Sequence, residues 1–141
     1  MISTVAVGTD GSATAEEAVR QAADIARRYR AKVVLLSAYR SSRGSPTDAS
    51  QDIERQWASN PSARLATLLE RTEARLRSEG IECETLTDEG DAGDVLVRLA
   101  SECGADMLVI GNKGMKRRVL GSVPNTVAHN ADCSVMVVKT M

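Results

Sequence analysis

Four short segments of this chain are apolar residue after residue: Val5-Ala6-Val7, Val33-Val34-Leu35-Leu36, Met107 to Ile110 and Val135 to Val138. A strand with one face in water alternates, whereas an unbroken run belongs to a strand covered on both faces, as in a parallel sheet flanked by helices. Glu82-Cys83-Glu84-Thr85-Leu86 does alternate. It reads as an edge strand with one solvated face.

Helical periodicity fills the intervals. Ala15, Ala18, Val19, Ala22, Ile25, Ala26 and Tyr29 recur with a 3.6-residue period, and Thr14-x-x-Glu17 matches a capping box. A second helix starts at Asn60-Pro61, buries Leu65, Leu68, Leu69 and Leu76, and stops at Gly80. The third uses Val95, Leu96, Leu99, Ala100 and Cys103 before Gly104, and a short fourth runs from about Ser122 to Ala131 with Pro124 in its first turn. Strand and helix thus alternate, which specifies an α/β fold: an open, doubly wound, five-stranded parallel sheet with helices on both faces and right-handed crossovers. Ligands of such sheets sit beyond the carboxyl ends of the strands, where the winding reverses. If the order is 3-2-1-4-5, that point lies between strands one and four, and Thr9-Asp10-Gly11-Ser12 then stands beside the Gly111 loop.

A length of 141 residues suits one domain spanning 1–141. The 18 basic and 19 acidic residues leave a net charge of −1, too little for a global field that would hold nucleic acid or an anionic membrane. Phenylalanine is absent and Tyr29, Tyr39 and Trp57 are the aromatic residues, which also argues against a base-stacking surface. No apolar stretch approaches the roughly 20 residues of a membrane span and no charged-then-apolar leader opens the sequence, so a cytoplasmic location is expected. Cys83, Cys103 and Cys133 form no C-x-x-C pair and read as reduced, small core residues; no metal site is expected. Arg40 to Asn60 reads as a long loop, with one short helical piece at Gln51 to Ala58.

The chemistry concentrates at Gly111-Asn112-Lys113-Gly114, which follows a buried strand, and at Gly121-Ser122-Val123-Pro124, which opens a helix. Backbone N–H groups, a helix N-terminus and the side chains of Lys113, Lys116, Arg117 and Arg118 together suit an anion such as phosphate. The plainer alternative makes the glycines turn residues and the basic cluster a solvated face. Asp10, between Gly8 and Gly11, stands where a ribose hydroxyl or a metal-bound phosphate would be met; an Asp-Gly-Ser sequence entering a helix is also a common turn and cap. There is no G-x-x-x-x-G-K-[ST] and no G-x-G-x-x-G. His129 is the single histidine and suits a helix end, and Ser122 lacks the G-x-S-x-G elbow, so no catalytic residue is assigned.

Gly-Thr-Asp-Gly-Ser after strand one, Val-Ile-Gly-Asn-Lys-Gly after strand four, Leu-Gly-Ser-Val, and the closing Cys-Ser-Val-Met-Val-Val together resemble the universal stress protein family, in order along the whole chain. The resemblance implies a 3-2-1-4-5 sheet, a homodimer, and in the nucleotide-binding branch an adenine nucleotide: ATP, with Mg accompanying it, or AMP or cAMP. Position by position it places Gly111, Gly114, Gly121 and Ser122 on the phosphate and ribose loop, with Val123 adding a backbone N–H. Asp10 falls on the acidic residue after strand one, preceded by Gly8 and Thr9, and Ala38 falls on the residue whose backbone edges the adenine. The family motif has nine residues between its second glycine and Gly-Ser; this chain has Met115 to Leu120, three fewer. Three extended residues span on the order of 10 Å, comparable with a triphosphate tail. The shorter loop suits AMP or cAMP, or a site in which Lys116 and Arg117 replace backbone contacts, or one too tight for any nucleotide.

Three functions follow. The first is an adenine-nucleotide-binding stress-response or signalling module, carried by Asp10 facing the Gly111–Ser122 loop. The second is a dimeric adaptor whose glycine loop only shapes the fold. The third, a slow ATP hydrolase, has no carboxylate between Gly111 and Ala131 to orient water and leaves Asp10 as its candidate. Strand five lies at a sheet edge, and Val135, Met136, Val137 and Val138 carry none of the charges or prolines that protect an edge, so pairing with a second copy is expected there.

Overall fold

A computed structural model describes residues 1–40, 61–112 and 121–139. In chain order the elements are β1 (Thr4–Gly8), α1 (Ala13–Tyr29), β2 (Lys32–Tyr39), α2 (Pro61–Ser78), β3 (Cys83–Glu89), α3 (Ala92–Glu102), β4 (Met107–Gly111), α4 (Ser122–Asn130) and β5 (Ser134–Val138). The five strands form one sheet in the order β3-β2-β1-β4-β5, every neighbouring pair parallel. The order expected from the sequence is the order found. The loop and helical piece read at 41–60 lie outside the described residues.

Strand periodicity divides the core in two. Val5, Val7, Val33, Leu35 and Val109 pack on one side with Ala18, Ala22, Leu69 and Leu76 of α1 and α2. Ala6, Val34, Leu36, Leu108 and Ile110 pack on the other with Val95, Leu99 and Ala100 of α3 and Val127 of α4. Both faces are dry, which is why the runs do not alternate.

Three local expectations need correction. The cap of α1 is Ser12, whose hydroxyl oxygen accepts the Ala15 N–H at 3.1 Å; Thr14 already lies inside the first turn and so does not stand at the cap position. Tyr29, counted with the apolar stripe, is 51% exposed because it is the last residue of α1 and the stripe has turned past the sheet. Leu86 of β3 is half-buried against the α3 side of the core, so the second face of this edge strand is wet at Glu84 and only partly so at Leu86. The strand also runs three residues further, to Glu89.

Cys83 is buried, Cys103 and Cys133 are half-buried, and all three thiols are free. Among the described residues no His/Cys/Asp/Glu group is placed to hold a metal ion, and no helix is long and apolar enough to cross a membrane.

Candidate functional site

The winding reverses between β1 and β4, which pair in register from Val5 with Met107 to Val7 with Val109. Just beyond their carboxyl ends the two crossovers leave on opposite faces and open a cavity of about 330 Å³. Seven residues singled out in the sequence line it: Gly8, Thr9, Asp10, Ala38, Gly111, Ser122 and Val123. Gly121 stands one residue outside as the N-cap of α4, its carbonyl accepting the Asn125 N–H at 3.0 Å. Lys113, Gly114, Lys116 and Arg117 lie outside the described residues, as does Arg118.

The loop between β1 and α1 is held by its own side chains. Asp10 Oδ1 accepts the Ser12 N–H at 2.9 Å and Thr9 Oγ1 accepts the Gly11 N–H at 3.3 Å. Gly11 has φ +85°, which favours glycine; a β carbon there would also come within 2.6 Å of Leu68 Cδ2, the tip of a side chain that can turn aside. Asp10 therefore does close a turn, the plainer of its two sequence readings, and it does so while lining the cavity.

Ladder parity determines what β2 offers. The Val33 N–H donates to the Glu82 carbonyl and the Tyr39 carbonyl accepts the Gly90 N–H, so odd-numbered residues of β2 direct their backbone groups to β3. Even-numbered ones face β1, as the Leu36 carbonyl does in accepting the Thr9 N–H at 2.9 Å. Ala38 is the next even residue, and the last β1 partner, Gly8, lies opposite Leu36. The N–H and C=O of Ala38 are thereby turned toward the cavity side where the strand has ended. A donor and an acceptor side by side match the edge of a planar heterocycle.

Ser12 and Pro124, read in the sequence as parts of the two facing loops, line the cavity too, whereas Thr14, Ala15, Ser37, Ala92, Leu96 and Ile110 had not been assigned to the site. Ser37 is a polar residue directly after an apolar run, a signal that was available. Ala92 and Leu96 come from α3, whose N-terminus is capped by Asp91 accepting the Asp94 N–H. Asp91 also accepts from Arg40 Nη2 at 3.2 Å, an exposed pair that joins the end of β2 to the start of α3. The cavity is thus met by the N-terminal turns of α1, α3 and α4, whose partial positive charges favour an anion. Its remaining wall is aliphatic, at Ala38, Leu96, Ile110 and Pro124.

The model of the universal stress protein family matches residues 1–139. The chain belongs to this family. A universal stress protein of Mycobacterium tuberculosis is 36% identical over 141 residues, covering 97% of this chain and 96% of the relative. Among solved structures, a universal stress protein in complex with cAMP superposes with a TM-score of 0.76 at 33% identity, covering 99% of this chain and 98% of that one. A family protein of Arabidopsis thaliana with AMP bound gives a TM-score of 0.75 over 99% of this chain and 92% of its own. At 24% identity that second likeness bears on the fold alone.

Proposed function

We propose that this universal stress protein is an adenine-nucleotide-binding signalling or stress-response module, and that its ligand carries one phosphate, as in cAMP or AMP. The base lies along the Ala38 backbone edge against Leu96 and Ile110. The phosphate meets the N-terminal turn of α4 at Ser122 and Val123, and the Asp10 carboxylate accepts from the ribose. What carries the reading is the joining, in one cavity, of a backbone edge, an apolar wall and helix N-termini. Its volume of about 330 Å³ falls within the roughly 300–1,000 Å³ typical of small-molecule sites. The cAMP complex of a relative 33% identical to this chain supports a ligand with one phosphate.

The chain works as a homodimer through β5. This strand stands at the sheet edge, and Val135, Met136 and Val137 are half-buried without a strand beyond them among the described residues. In the dimer the nucleotide alters the start of α4, which leads directly into β5.

Calorimetry with cAMP, AMP and ATP, together with mass spectrometry of small molecules released from gently purified protein, tests the site. Saturable binding of cAMP or AMP, tighter than ATP and weakened by Asp10→Ala, is the expected result. Protein that ignores all three nucleotides is an adaptor with a purely structural glycine loop.

A further inference from the structure

Ser37 is the one hydroxyl among the fully buried residues of the central strands, at 1% exposed. A buried hydroxyl costs stability unless it is bonded, and this one donates to the Thr9 carbonyl oxygen at 2.6 Å. The position explains the bond. β1 ends at Gly8, Thr9 makes the last ladder contact through its N–H to Leu36, and its carbonyl takes a donor from a side chain instead of from a further strand residue. From that fixed point each following residue is tied to the next: Thr9 Oγ1 to the Gly11 N–H, Asp10 Oδ1 to the Ser12 N–H, Ser12 Oγ to the Ala15 N–H. Ser37 is thus the one side chain in this series that comes from outside the loop, and it is buried.

We propose that Ser37 is a positioning residue of the nucleotide site, whose buried hydroxyl anchors the Thr9 carbonyl and so sets where the Asp10 carboxylate meets the ribose. The inference rests on the assignment of Asp10 to the ribose. An alanine at this position leaves the strand and the apolar wall in place and removes only the anchor. The loop then samples other directions for Asp10, and the loss falls on ligands that have a ribose hydroxyl to offer.

The test compares AMP with 2′-deoxy-AMP and 3′-deoxy-AMP by calorimetry in the wild type, Asp10→Ala and Ser37→Ala. The wild type is expected to favour AMP over at least one deoxy analogue by about tenfold or more, the range of a hydrogen bond to a charged acceptor. Asp10→Ala abolishes that preference. Ser37→Ala reduces it at least threefold, with less than a twofold change in affinity for the analogue itself. A full preference retained in Ser37→Ala, or an equal loss for all three ligands, overturns the positioning role while leaving Asp10 in place. No preference in the wild type, or one that survives Asp10→Ala, refutes the ribose assignment and the positioning role with it. Amide hydrogen exchange in the ligand-free protein reads the anchor directly: Gly11 and Ser12 should exchange roughly three- to tenfold faster in Ser37→Ala. Unchanged exchange at both amides overturns the anchor whatever the nucleotides do.

Discussion

Thr14 stands so close to Gly111 that a β carbon at residue 111 would lie 2.4 Å from the threonine Cγ2 and 2.9 Å from its carbonyl oxygen. The end of β4 crosses the first turn of α1 at this point, and only a glycine lets the two backbones pass. A residue that reads in the sequence as part of a phosphate loop is therefore also demanded by packing. Loss of binding on substituting Gly111 would not by itself identify a ligand contact.

Gly111→Ala should accordingly destabilise the protein by about 1–3 kcal/mol, the range for forcing an extra methyl group into a packed site. The Thr14 side chain can turn aside, but the backbone oxygen cannot. Thr14→Ser in the Gly111→Ala background is expected to recover part of the loss and not all of it. Urea denaturation of the four members of this double-mutant cycle measures the coupling; additive effects would show that the contact is relieved some other way.

Asp106 ties the amino-terminal ends of β1 and β4 together. Its Oδ2 accepts the Ser3 N–H at 2.8 Å, the Thr4 N–H at 3.0 Å and the Ser3 hydroxyl at 3.1 Å. These bonds, the backbone N–H groups of Ser3 and Thr4 before the Ser3 hydroxyl, hold its carboxyl below the usual 3.8. A carboxyl depressed on folding contributes stability that is fully present above its unfolded value and is lost as pH falls through the folded one. Asp106→Asn should then lower the unfolding midpoint at pH 7, and its deficit should shrink below about pH 4 until the two curves approach each other in acid. A deficit constant from pH 7 to pH 3 would separate the effect from ionisation.

Cysteine reactivity offers a third check. Burial raises the Cys83 thiol from the ordinary 9.0 to about 12, with the Glu73 carboxylate adding to the shift. At neutral pH that change lowers the thiolate fraction about a thousandfold. Burial also raises Cys103 and Cys133, though both are half-buried. An aromatic disulfide reagent should label Cys103 and Cys133 first in the native protein, reach Cys83 only as fast as the protein opens, and label all three at once in urea. Prompt labelling of Cys83 under native conditions would contradict its place in the core.

The parallel sheet and both of its covered faces were legible because unbroken apolar runs can be satisfied in few ways, whereas the strand order came with the family resemblance. The loop residues Gly8, Thr9 and Asp10, together with Gly111, Ser122 and Val123, were legible for a related reason: each lies at a strand end or helix start that the topology brings to one place; Ala38 was reached through the family resemblance alone. Thr14 was misread because Thr-x-x-Glu satisfies the capping pattern as well as Ser12 does, and only the register of the first turn decides between them. Ala92 and Leu96 were not legible as site residues. Their place depends on how far α3 slides along the sheet, which is set by contacts such as Gly93 beneath Thr126, where a β carbon would come within 2.8 Å of the threonine Cγ2. Nothing in the local sequence of α3 records that distance.

The proposed dimer makes the last prediction. β5 pairs with β4 along one edge from Ser134 to Val138, so its other edge presents backbone N–H and C=O groups without a strand beside them among the described residues. Edges left in this state are normally guarded by charge, proline or a bulge. Val135-Met136-Val137-Val138 has neither a charge nor a proline, and its first three side chains are only half-buried. A second copy laid antiparallel supplies partners for the backbone and covers these side chains, and the two-fold axis makes the contact self-complementary. Val137→Lys places an unpaired charge on each copy at the middle of that contact, so the dimer dissociation constant should rise about a hundredfold or more. The comparison uses light scattering across a micromolar dilution series, with urea unfolding of each protein to confirm that the monomer fold persists. If the parent chain is already monomeric at micromolar concentration, or Val137→Lys remains fully dimeric, β5 is not where two copies meet.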